Sequence, residues 1–235
     1  IAYFLNFTTT YMPLSRFRYC VEEACGRPDI VGLAVSTRPD CIHESYLEVL
    51  REAQGKYGTN ITVELGLQSV NPHTLLKIGR CHTVAEFIDA ALQIGRYHFD
   101  LCTHIIADLP RDDRIDLEEA AKLVSVLPVT EIKIHSLYII KGTKLAKMYE
   151  KGDIKLLPPE EYAERVVLIL SMLRPDIVVQ RIVGRASANT LSVNGGRPWW
   201  EVKEYIEKLM RNRHIQQGSA CNYLHGAAVR RFLHE

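Results

Sequence analysis

The sequence predicts an α/β fold, a partial TIM-like (β/α)6 barrel whose parallel strands are covered by helices. Three observations indicate this class. Short runs rich in β-branched residues alternate with amphipathic stretches along the whole chain, as in parallel sheets with right-handed helical crossovers. One face of each strand turns polar toward its carboxyl end, where TIM-type barrels carry their active sites. No glycine-rich phosphate fingerprint follows the first strand, which disfavours an open dinucleotide-binding sheet.

The predicted elements follow one another in regular order. Strands are predicted at residues 2–7, 30–36, 62–68, 100–107, 131–139 and 177–182. Helices are predicted at residues 14–25, 44–57, 84–97, 117–127 and 160–173, with a terminal helix at 200–212. Because no linker rich in proline or serine divides the chain, we expect one domain. Residues 1–184 would form its barrel core, and residues 185–235 an extension of a strand and a helix packed on that core.

Local signals mark where two of the helices begin and end. Thr83 and Glu86 have the spacing of a capping box, followed by an apolar stripe at helical spacing. Asn71 and Pro72 are typical of an N-cap and a first helical residue. Gly79 is typical of the left-handed residue that ends a helix.

Composition and charge indicate an ordinary globular protein. Of the 235 residues, 47% are hydrophobic and 24% charged, and the net charge of +1 gives no strong field toward nucleic acid or a membrane. The longest apolar runs, such as residues 166–170, fall far short of the roughly 20 residues of a membrane span. Six cysteines without a C-x-x-C pattern predict reduced thiols in the cytoplasm. The chain opens at Ile1 inside a strand pattern, so we expect a further segment upstream.

Polar side chains share one face of five strands, because residues two apart in a strand point the same way. The faces are Asn6, Thr8 and Thr10; Gly32, Ala34, Ser36 and Arg38; Glu64, Gly66 and Gln68; Cys102 and His104; and Glu131, Lys133 and His135. An unpaired buried polar group costs about 1–3 kcal/mol, so five such faces are not expected by accident. They predict a lumen that holds a polar ligand.

Four segments in order then suggest a family. They are Val31-Gly-Leu-Ala-Val-Ser-Thr-Arg-Pro-Asp-Cys, Glu64-Leu-Gly-Leu-Gln-Ser, Leu76-Lys-Ile-Gly-Arg-Cys-His and His104-Ile-Ile-Ala-Asp-Leu-Pro. Together they resemble the core of radical S-adenosylmethionine proteins, near the elongator acetyltransferase and coproporphyrinogen-oxidase-like group. Ile132-Lys-Ile-His-Ser-Leu-Tyr-Ile-Ile-Lys-Gly-Thr, followed by Tyr149-Glu-Lys-Gly, is similar to the YhcC-like branch. The resemblance implies a radical S-adenosylmethionine barrel that lacks its first βα unit and opens with its second strand.

The resemblance also implies the residues that bind S-adenosylmethionine. Gln68 and Arg80 match the family pair that contacts the ribose and the carboxylate, and His104 matches a polar residue facing the ribose. Thr8 and Thr10 lie in the place of the turn that receives the amino group, although its Gly-Gly-Glu pattern is absent. Ser36 stands where some relatives carry a glutamate for the ribose hydroxyls.

Five further residues would face the substrate and are candidate catalytic residues with unassigned roles: Arg38, Glu64, Lys133, His135 and Arg181. Each has a side chain that can act as an acid, a base or an anion anchor. A purely structural ion-pair network among them is an equally good interpretation.

The family's [4Fe–4S] cluster has no ligands in this sequence, because the pattern C-x-x-x-C-x-x-C is absent. No metal ligand is therefore assigned here, and we expect the cluster cysteines upstream of residue 1. A reductant such as flavodoxin or ferredoxin would supply the electron.

The resemblance implies an enzyme that cleaves S-adenosylmethionine to a 5′-deoxyadenosyl radical acting on an unknown substrate, for which an RNA-related molecule is one candidate. Two alternatives stay open: a sensor or partner subunit that binds an adenosyl ligand without a cluster, and a conventional barrel lyase or hydrolase using Glu64, Lys133 and His135. The basic segment at residues 211–214, with Lys203 and Lys208, could contact tRNA phosphate, although exposed basic helices are common.

Overall fold

The computed structural model describes residues 1–5, 8–185 and 190–232. Its main sheet has six parallel strands that neighbour one another in chain order, with one short pair of strands set apart. The main strands are β1 (Ala2–Phe4), β2 (Gly32–Thr37), β3 (Asn60–Gln68), β4 (Asp100–Ile106), β5 (Glu131–His135) and β7 (Val178–Arg181). The separate antiparallel pair is β6 (Ile139–Ile140) and β8 (Thr190–Ser192).

Eight α-helices accompany the strands in the described part of the chain. They are α1 (Leu14–Cys25), α2 (Glu44–Tyr57), α3 (Pro72–Lys77), α4 (Val84–Arg96), α5 (Arg114–Val126), α6 (Lys144–Glu150), α7 (Pro159–Met172) and α8 (Trp199–Asn212). Short 3₁₀ turns cover Pro39–Cys41, Asn194–Gly196 and Ala227–Phe232. The order of strands and crossover helices confirms the predicted α/β barrel class.

The core lies between the outer face of the sheet and the helices. Val35, Val63, Leu101 and Ile132 alternate with the polar residues along their strands and are at most 1% exposed. Phe87 of α4 is equally buried in the same apolar cluster. The strands therefore present their apolar face to the helices and their polar face to the lumen, as the alternation predicts.

Strand register lines up the polar residues in two rows across the lumen. Ser36, Glu64, Cys102 and Glu131 are partners in successive strands. Nearer the carboxyl ends, Gly66, His104, Lys133 and Arg181 form the second row. Parallel pairing thus converts separate sequence patterns into one continuous polar surface.

The sheet is strongly curved. Lys133 Nζ on β5 lies 3.4 Å from Tyr3 Oη on β1, although three strands separate them. Strands in a flat sheet lie about 4.8 Å apart, which would put their backbones about 19 Å from each other. A lysine and a tyrosine side chain together do not bridge that distance. The sheet must therefore wrap around the lumen as part of a barrel.

Three predicted elements differ from the structure by more than two residues at one end. The strand predicted at residues 131–139 is confirmed only as far as His135, because pairing with β4 stops there and the chain turns aside. Ser136 Oγ bonds to Asn194 Oδ1, and Asp108 Oδ1 accepts from the Leu137 amide, before β6 joins the separate pair.

The other two differences concern element ends. The strand predicted at residues 2–7 ends at Phe4, and the predicted lumen residue Asn6 lies outside the described residues. The helix predicted at residues 117–127 begins earlier, at Arg114, because Asp113 and Asp116 form a capping box. The predicted caps at Asn71 and Thr83 are confirmed, as is the left-handed Gly79 with φ of 72°.

Within the described residues, no helix is both long enough and apolar enough to span a lipid bilayer.

Candidate functional site at the carboxyl ends of the strands

A cavity of about 270 Å³ opens at the carboxyl ends of β2, β3 and β4. Its walls are Thr8, Ser36, Thr37, Arg38, Gly66, Gln68, Arg80 and His104. Five of the six predicted cofactor-binding residues therefore meet at one place. A larger groove, of about 510 Å³, lies on the outer helices around Leu117 and Leu168 and contains none of the predicted site residues.

Gln68 reaches this cavity through an irregular backbone. The ladder between β3 and β4 shifts register between Gly66 and Gln68, and Gln68 has a φ of 68°. A residue other than glycine in the left-handed region costs about 1–3 kcal/mol, and such strain clusters at ligand sites. Because of the bulge, the Gln68 side chain extends over Gly66 and does not follow the regular alternation of the strand.

Gly66 leaves the space into which Gln68 and Arg80 extend. A Cβ atom on Gly66 would lie 2.4 Å from Gln68 Nε2 and 2.9 Å from an Arg80 terminal nitrogen. The two side chains therefore converge over the bare backbone of β3. This arrangement brings together residues that lie twelve positions apart in the sequence.

Arg80 is a partly buried cation without a carboxylate partner among the described residues. Its Nε donates to His82 Nε2 at 3.2 Å, and its amide donates to the Leu75 carbonyl at the end of α3. Burial, with a smaller contribution from the nearby Arg38 charge, lowers the pKa of Arg80. A fixed guanidinium that lacks an internal counter-ion is suited to clamp an anionic group with two hydrogen bonds.

Arg38 lines the same cavity but is already paired. Its Nε donates to Asp40 Oδ1 at 2.9 Å, and a second guanidinium nitrogen bonds to Asp40 Oδ2. We expected Arg38 on the substrate side, and the structure places it among the predicted cofactor-binding residues.

Thr10 is the predicted cofactor-binding residue that lies outside the cavity lining. Its hydroxyl is buried and bonds to Thr37 Oγ1 at 2.5 Å and to the Cys41 carbonyl at 2.7 Å. Thr10 therefore ties the loop after β1 to the strand end of β2, whereas Thr8 and Ser36 line the cavity.

Next to the cavity, the buried Glu64 carboxylate collects three hydrogen bonds. Lys133 Nζ lies 2.5 Å from Oε1, His104 Nε2 lies 2.9 Å from Oε2, and the Tyr3 hydroxyl also bonds to Oε2. Burial by itself would raise the pKa of Glu64, but the hydrogen bonds outweigh it and hold that pKa at about 2. Two predicted substrate-side residues, Glu64 and Lys133, thus form a buried ion pair linked to His104.

His135 and Arg181 flank this cluster. The His135 and His104 rings lie 5.1 Å apart between centroids, and His135 Nε2 is buried without a hydrogen-bond partner in the described part of the chain. Burial, together with the charge on nearby groups, lowers the pKa of His135 to about 3. Arg181 stands beside Lys133 in register and is exposed.

Three residues at or near the site carry no signal in the sequence that predicts them: Tyr3, Thr37 and Asp108. Tyr3 lies between Ala2 and Phe4 in an apolar run, and no polar periodicity marks it. Asp108 follows His104 by four positions and accepts the Leu137 amide at 2.6 Å, a contact that depends on the turn after β5.

Glu64, Cys102 and His104 offer ligand atoms that all lie within 4.8 Å of one another. A metal ion there would compete with the Lys133 ammonium for the same carboxylate. Burial and the Glu64 charge raise the pKa of the Cys102 thiol, which opposes the thiolate that metals require. The cluster therefore fits an ion pair better than a cation.

The basic residues predicted to contact phosphate are partly engaged. Lys203 pairs with Glu207 at 2.9 Å, and Arg213 forms two hydrogen bonds of 2.6 Å with Glu164. Lys208 and Arg211 are exposed on α8 and its end.

Comparisons with known proteins agree with this architecture. Residues 129–212 match the family described as the Radical_SAM C-terminal domain. YtqA of Bacillus subtilis is 36% identical over 93% of this chain and 67% of its own length, and YhcC of Escherichia coli is 30% identical over 94% and 71%.

A solved structure of the archaeal Elp3 from Methanocaldococcus infernus superposes with a TM-score of 0.72 at 19% identity. It covers 92% of this chain, and the chain spans about half (54%) of that protein. The fold is therefore shared with Elp3, and the sequence likeness is strongest with YtqA among these three. The chain belongs to the radical S-adenosylmethionine superfamily, as a YhcC-like member.

Proposed function

We propose that this chain is the S-adenosylmethionine-binding part of a radical S-adenosylmethionine enzyme. The observation that carries the proposal is the convergence of Gln68 and Arg80 over Gly66, at the wall of a polar cavity. Membership of the superfamily supports it.

The side chains around the cavity fit the polar groups of S-adenosylmethionine. The Arg80 guanidinium, which has no carboxylate partner in the described part of the chain, suits the carboxylate of the ligand. The Gln68 amide both donates and accepts, so it suits hydroxyl groups, and Ser36 and His104 lie on the same walls. The Thr8 hydroxyl can accept a hydrogen bond from an ammonium group.

In this superfamily, bound S-adenosylmethionine and a [4Fe–4S] cluster supply a 5′-deoxyadenosyl radical that removes hydrogen from the substrate. The six cysteines of this chain do not have the spacing of cluster ligands. We therefore place the cluster ligands outside this chain, and we expect a reductant such as flavodoxin or ferredoxin to supply the electron.

The lumen beyond the cavity is proposed to face the substrate. Lys133, His135 and Arg181 lie there, and Glu64 neutralises Lys133. A conventional lyase or hydrolase that uses Glu64 as its general base is disfavoured, because a carboxylate with a pKa of about 2 and three donors is a weak base at neutral pH.

Ligand binding is tested by isothermal titration of S-adenosylmethionine and S-adenosylhomocysteine into the chain. The wild type should bind both saturably. Arg80→Lys, which keeps the charge but loses the planar fork, and Gln68→Ala should each bind at least about 10-fold more weakly. Arg211→Ala, at the exposed end of α8, should bind as the wild type does.

Gly66→Ala adds an independent test. The new methyl group would collide with the ends of two flexible side chains, so the fold should persist while Gln68 and Arg80 move out of position. Equal affinity of the wild type, Arg80→Lys and Gly66→Ala would overturn the proposed binding site.

Catalysis is tested on a longer protein that also carries cluster cysteines, reconstituted with iron and sulfide without oxygen. Dithionite should then produce 5′-deoxyadenosine above a control without protein. A confirmed cluster and tight S-adenosylmethionine binding without this product would support the alternative of an adenosyl-ligand sensor.

A further inference from the structure

His104 joins the ligand cavity to the buried ion pair. Its ring lines the cavity, and its Nε2 lies 2.9 Å from Oε2 of Glu64. Among the described residues, its other ring nitrogen, Nδ1, has no hydrogen-bond partner. One nitrogen is thus bonded to Glu64, and the other has no partner in the described part of the chain.

The partners of Glu64 decide which group donates to which. The Lys133 ammonium can only donate, and it lies 2.5 Å from Oε1. The Tyr3 hydroxyl donates to Oε2, with Lys133 Nζ 3.4 Å from the same hydroxyl oxygen. With two donors at its oxygens, Glu64 is an ionised carboxylate and can only accept.

The ring nitrogen that faces an ionised carboxylate must carry the proton. When Nε2 of a neutral imidazole is protonated, Nδ1 is a bare acceptor. Carboxylates that stand behind metal-bound histidines fix the tautomer of those rings in the same way.

We propose that Glu64, held in place by Lys133 and Tyr3, is a positioning residue that keeps the proton of His104 on Nε2, so that Nδ1 accepts a hydrogen bond from a hydroxyl group of the ligand. The identity of that ligand rests on the proposed function above. Glu64 therefore acts on the ligand through His104 without touching it. The cavity then requires a ligand that donates a hydrogen bond to His104 Nδ1.

The buried ion pair of Lys133 and Glu64 has a function in this proposal. A buried lysine–glutamate pair is weak support for stability, because desolvation offsets much of the attraction. Here Lys133 keeps the carboxylate ionised inside the lumen, and Tyr3, on the far edge of the curved sheet, restrains its second oxygen. Residues from β1, β3 and β5 thus combine to orient one imidazole on β4.

The tautomer is measured directly by nitrogen NMR of the ligand-free chain labelled at histidine, at pH 8. His104 is assigned by the signal that disappears in His104→Asn. The expected result is a neutral ring with the proton on Nε2. A proton on Nδ1, alone or in an imidazolium ion, would overturn the proposal, and this measurement needs no ligand.

Ligand preference gives the second test, using S-adenosylhomocysteine and its 2′-deoxy and 3′-deoxy forms. In the wild type, removal of the hydroxyl that meets Nδ1 should weaken binding about 3- to 10-fold, the effect of one neutral hydrogen bond. Equal affinity for all three molecules would contradict the proposal.

Glu64→Gln should reverse the tautomer of His104. The side-chain oxygen of the introduced glutamine would accept from Lys133, its amide nitrogen would face His104, and the proton would move to Nδ1. S-adenosylhomocysteine should then bind about 10-fold more weakly, and the preference for the hydroxylated ligand should disappear. Glu131→Gln, the same exchange at a lumen carboxylate that bonds to Gln180, should change neither property.

The outcomes separate this proposal from the proposed function. A proton on Nε2 without any S-adenosylhomocysteine binding would remove the proposed ligand and leave the positioning role standing. A proton on Nδ1 together with tight S-adenosylhomocysteine binding would overturn the positioning role and leave the proposed ligand standing. If circular dichroism shows Glu64→Gln unfolded, the wild-type tautomer and the deoxy comparison still decide.

Discussion

Two buried carboxylates show how the number of hydrogen-bond donors sets the charge of a residue. Glu64 receives three donors, which lower its pKa to about 2 although the side chain is only 4% exposed. Asp108, similarly buried, accepts one strong bond, from the Leu137 amide, and burial raises its pKa to about 6. The first carboxylate is ionised at every physiological pH, whereas the second resists ionisation.

Asp108→Asn should therefore stabilise the protein in a pH-dependent way. The pKa of Asp108 in the folded protein, about 6, lies above its ordinary value of 3.8. The contribution of the protonated Asp108 to the stability of the fold is therefore fully present below pH 3.8 and is lost as the pH rises through 6. Asparagine avoids this loss and keeps an acceptor for Leu137. The gain in unfolding free energy should grow by about 1–3 kcal/mol between pH 4 and pH 7 in urea titrations.

The control for this experiment is Asp153→Asn, an exchange at an exposed position. It removes a carboxyl group that does not contact the Leu137 amide, and the change in stability is compared between the two variants at both pH values. A gain at Asp108 that is the same at pH 4 and pH 7 would contradict the assignment of its raised pKa.

At the scale of elements, the cap of α4 controls the loop that carries Arg80. Thr83 Oγ1 accepts the Glu86 amide at 3.2 Å, and Glu86 Oε2 accepts the Thr83 amide at 2.6 Å. The helix then buries Phe87 and Ile94 in the core. Arg80 lies between the end of α3 and this cap, so both ends of its loop are held by local hydrogen bonds.

Thr83→Ala should lower the free energy of unfolding by about 0.5–2 kcal/mol, because the amide of Glu86 loses its acceptor. Thr83→Ser retains the hydroxyl and is the matched control. Chemical denaturation followed by circular dichroism compares the two variants. Equal stability of the alanine and serine proteins would show that the cap contributes nothing.

At the scale of the whole molecule, the carboxyl-terminal extension shares the core of the barrel. Val202 and Ile206 of α8 are at most 1% exposed and belong to the same apolar cluster as the strands. Beyond α8, the Gly218 and Ala220 amides donate to the Leu170 and Ser171 carbonyls of α7. We propose that residues 185–235 fold and unfold together with residues 1–184.

Ile206→Ala should therefore destabilise the entire chain, by about 2–5 kcal/mol. The two tryptophans of the sequence, Trp199 and Trp200, both lie in α8, so their fluorescence reports the extension. Far-ultraviolet circular dichroism reports mainly the barrel. The two transitions should coincide in the wild type and shift together in the variant; a separate fluorescence transition would reveal an independent extension.

The class of fold, and the face on which most polar strand residues lie, were predictable from the amino-acid sequence. Glu64, His104 and Lys133 could be placed in one lumen because side chains alternate along a strand, and this is a local property of the backbone. The caps at Asn71 and Thr83 were predictable for the same reason, since both ends of each hydrogen bond lie within a few residues. The pairing of Gln68 with Arg80 came only from the family resemblance.

Which of these residues meet depends on long-range packing, and only the folded chain shows it. Tyr3 joins Glu64 because the sheet curves, and curvature is a sum of small twists that no short sequence pattern records. The bulge at Gln68 redirects one side chain, and Thr10 is turned away from the cavity by partners 27 and 31 residues later in the chain. The predicted strand at residues 131–139 divides after His135 because its pairing partners change, and those partners lie far away in the sequence.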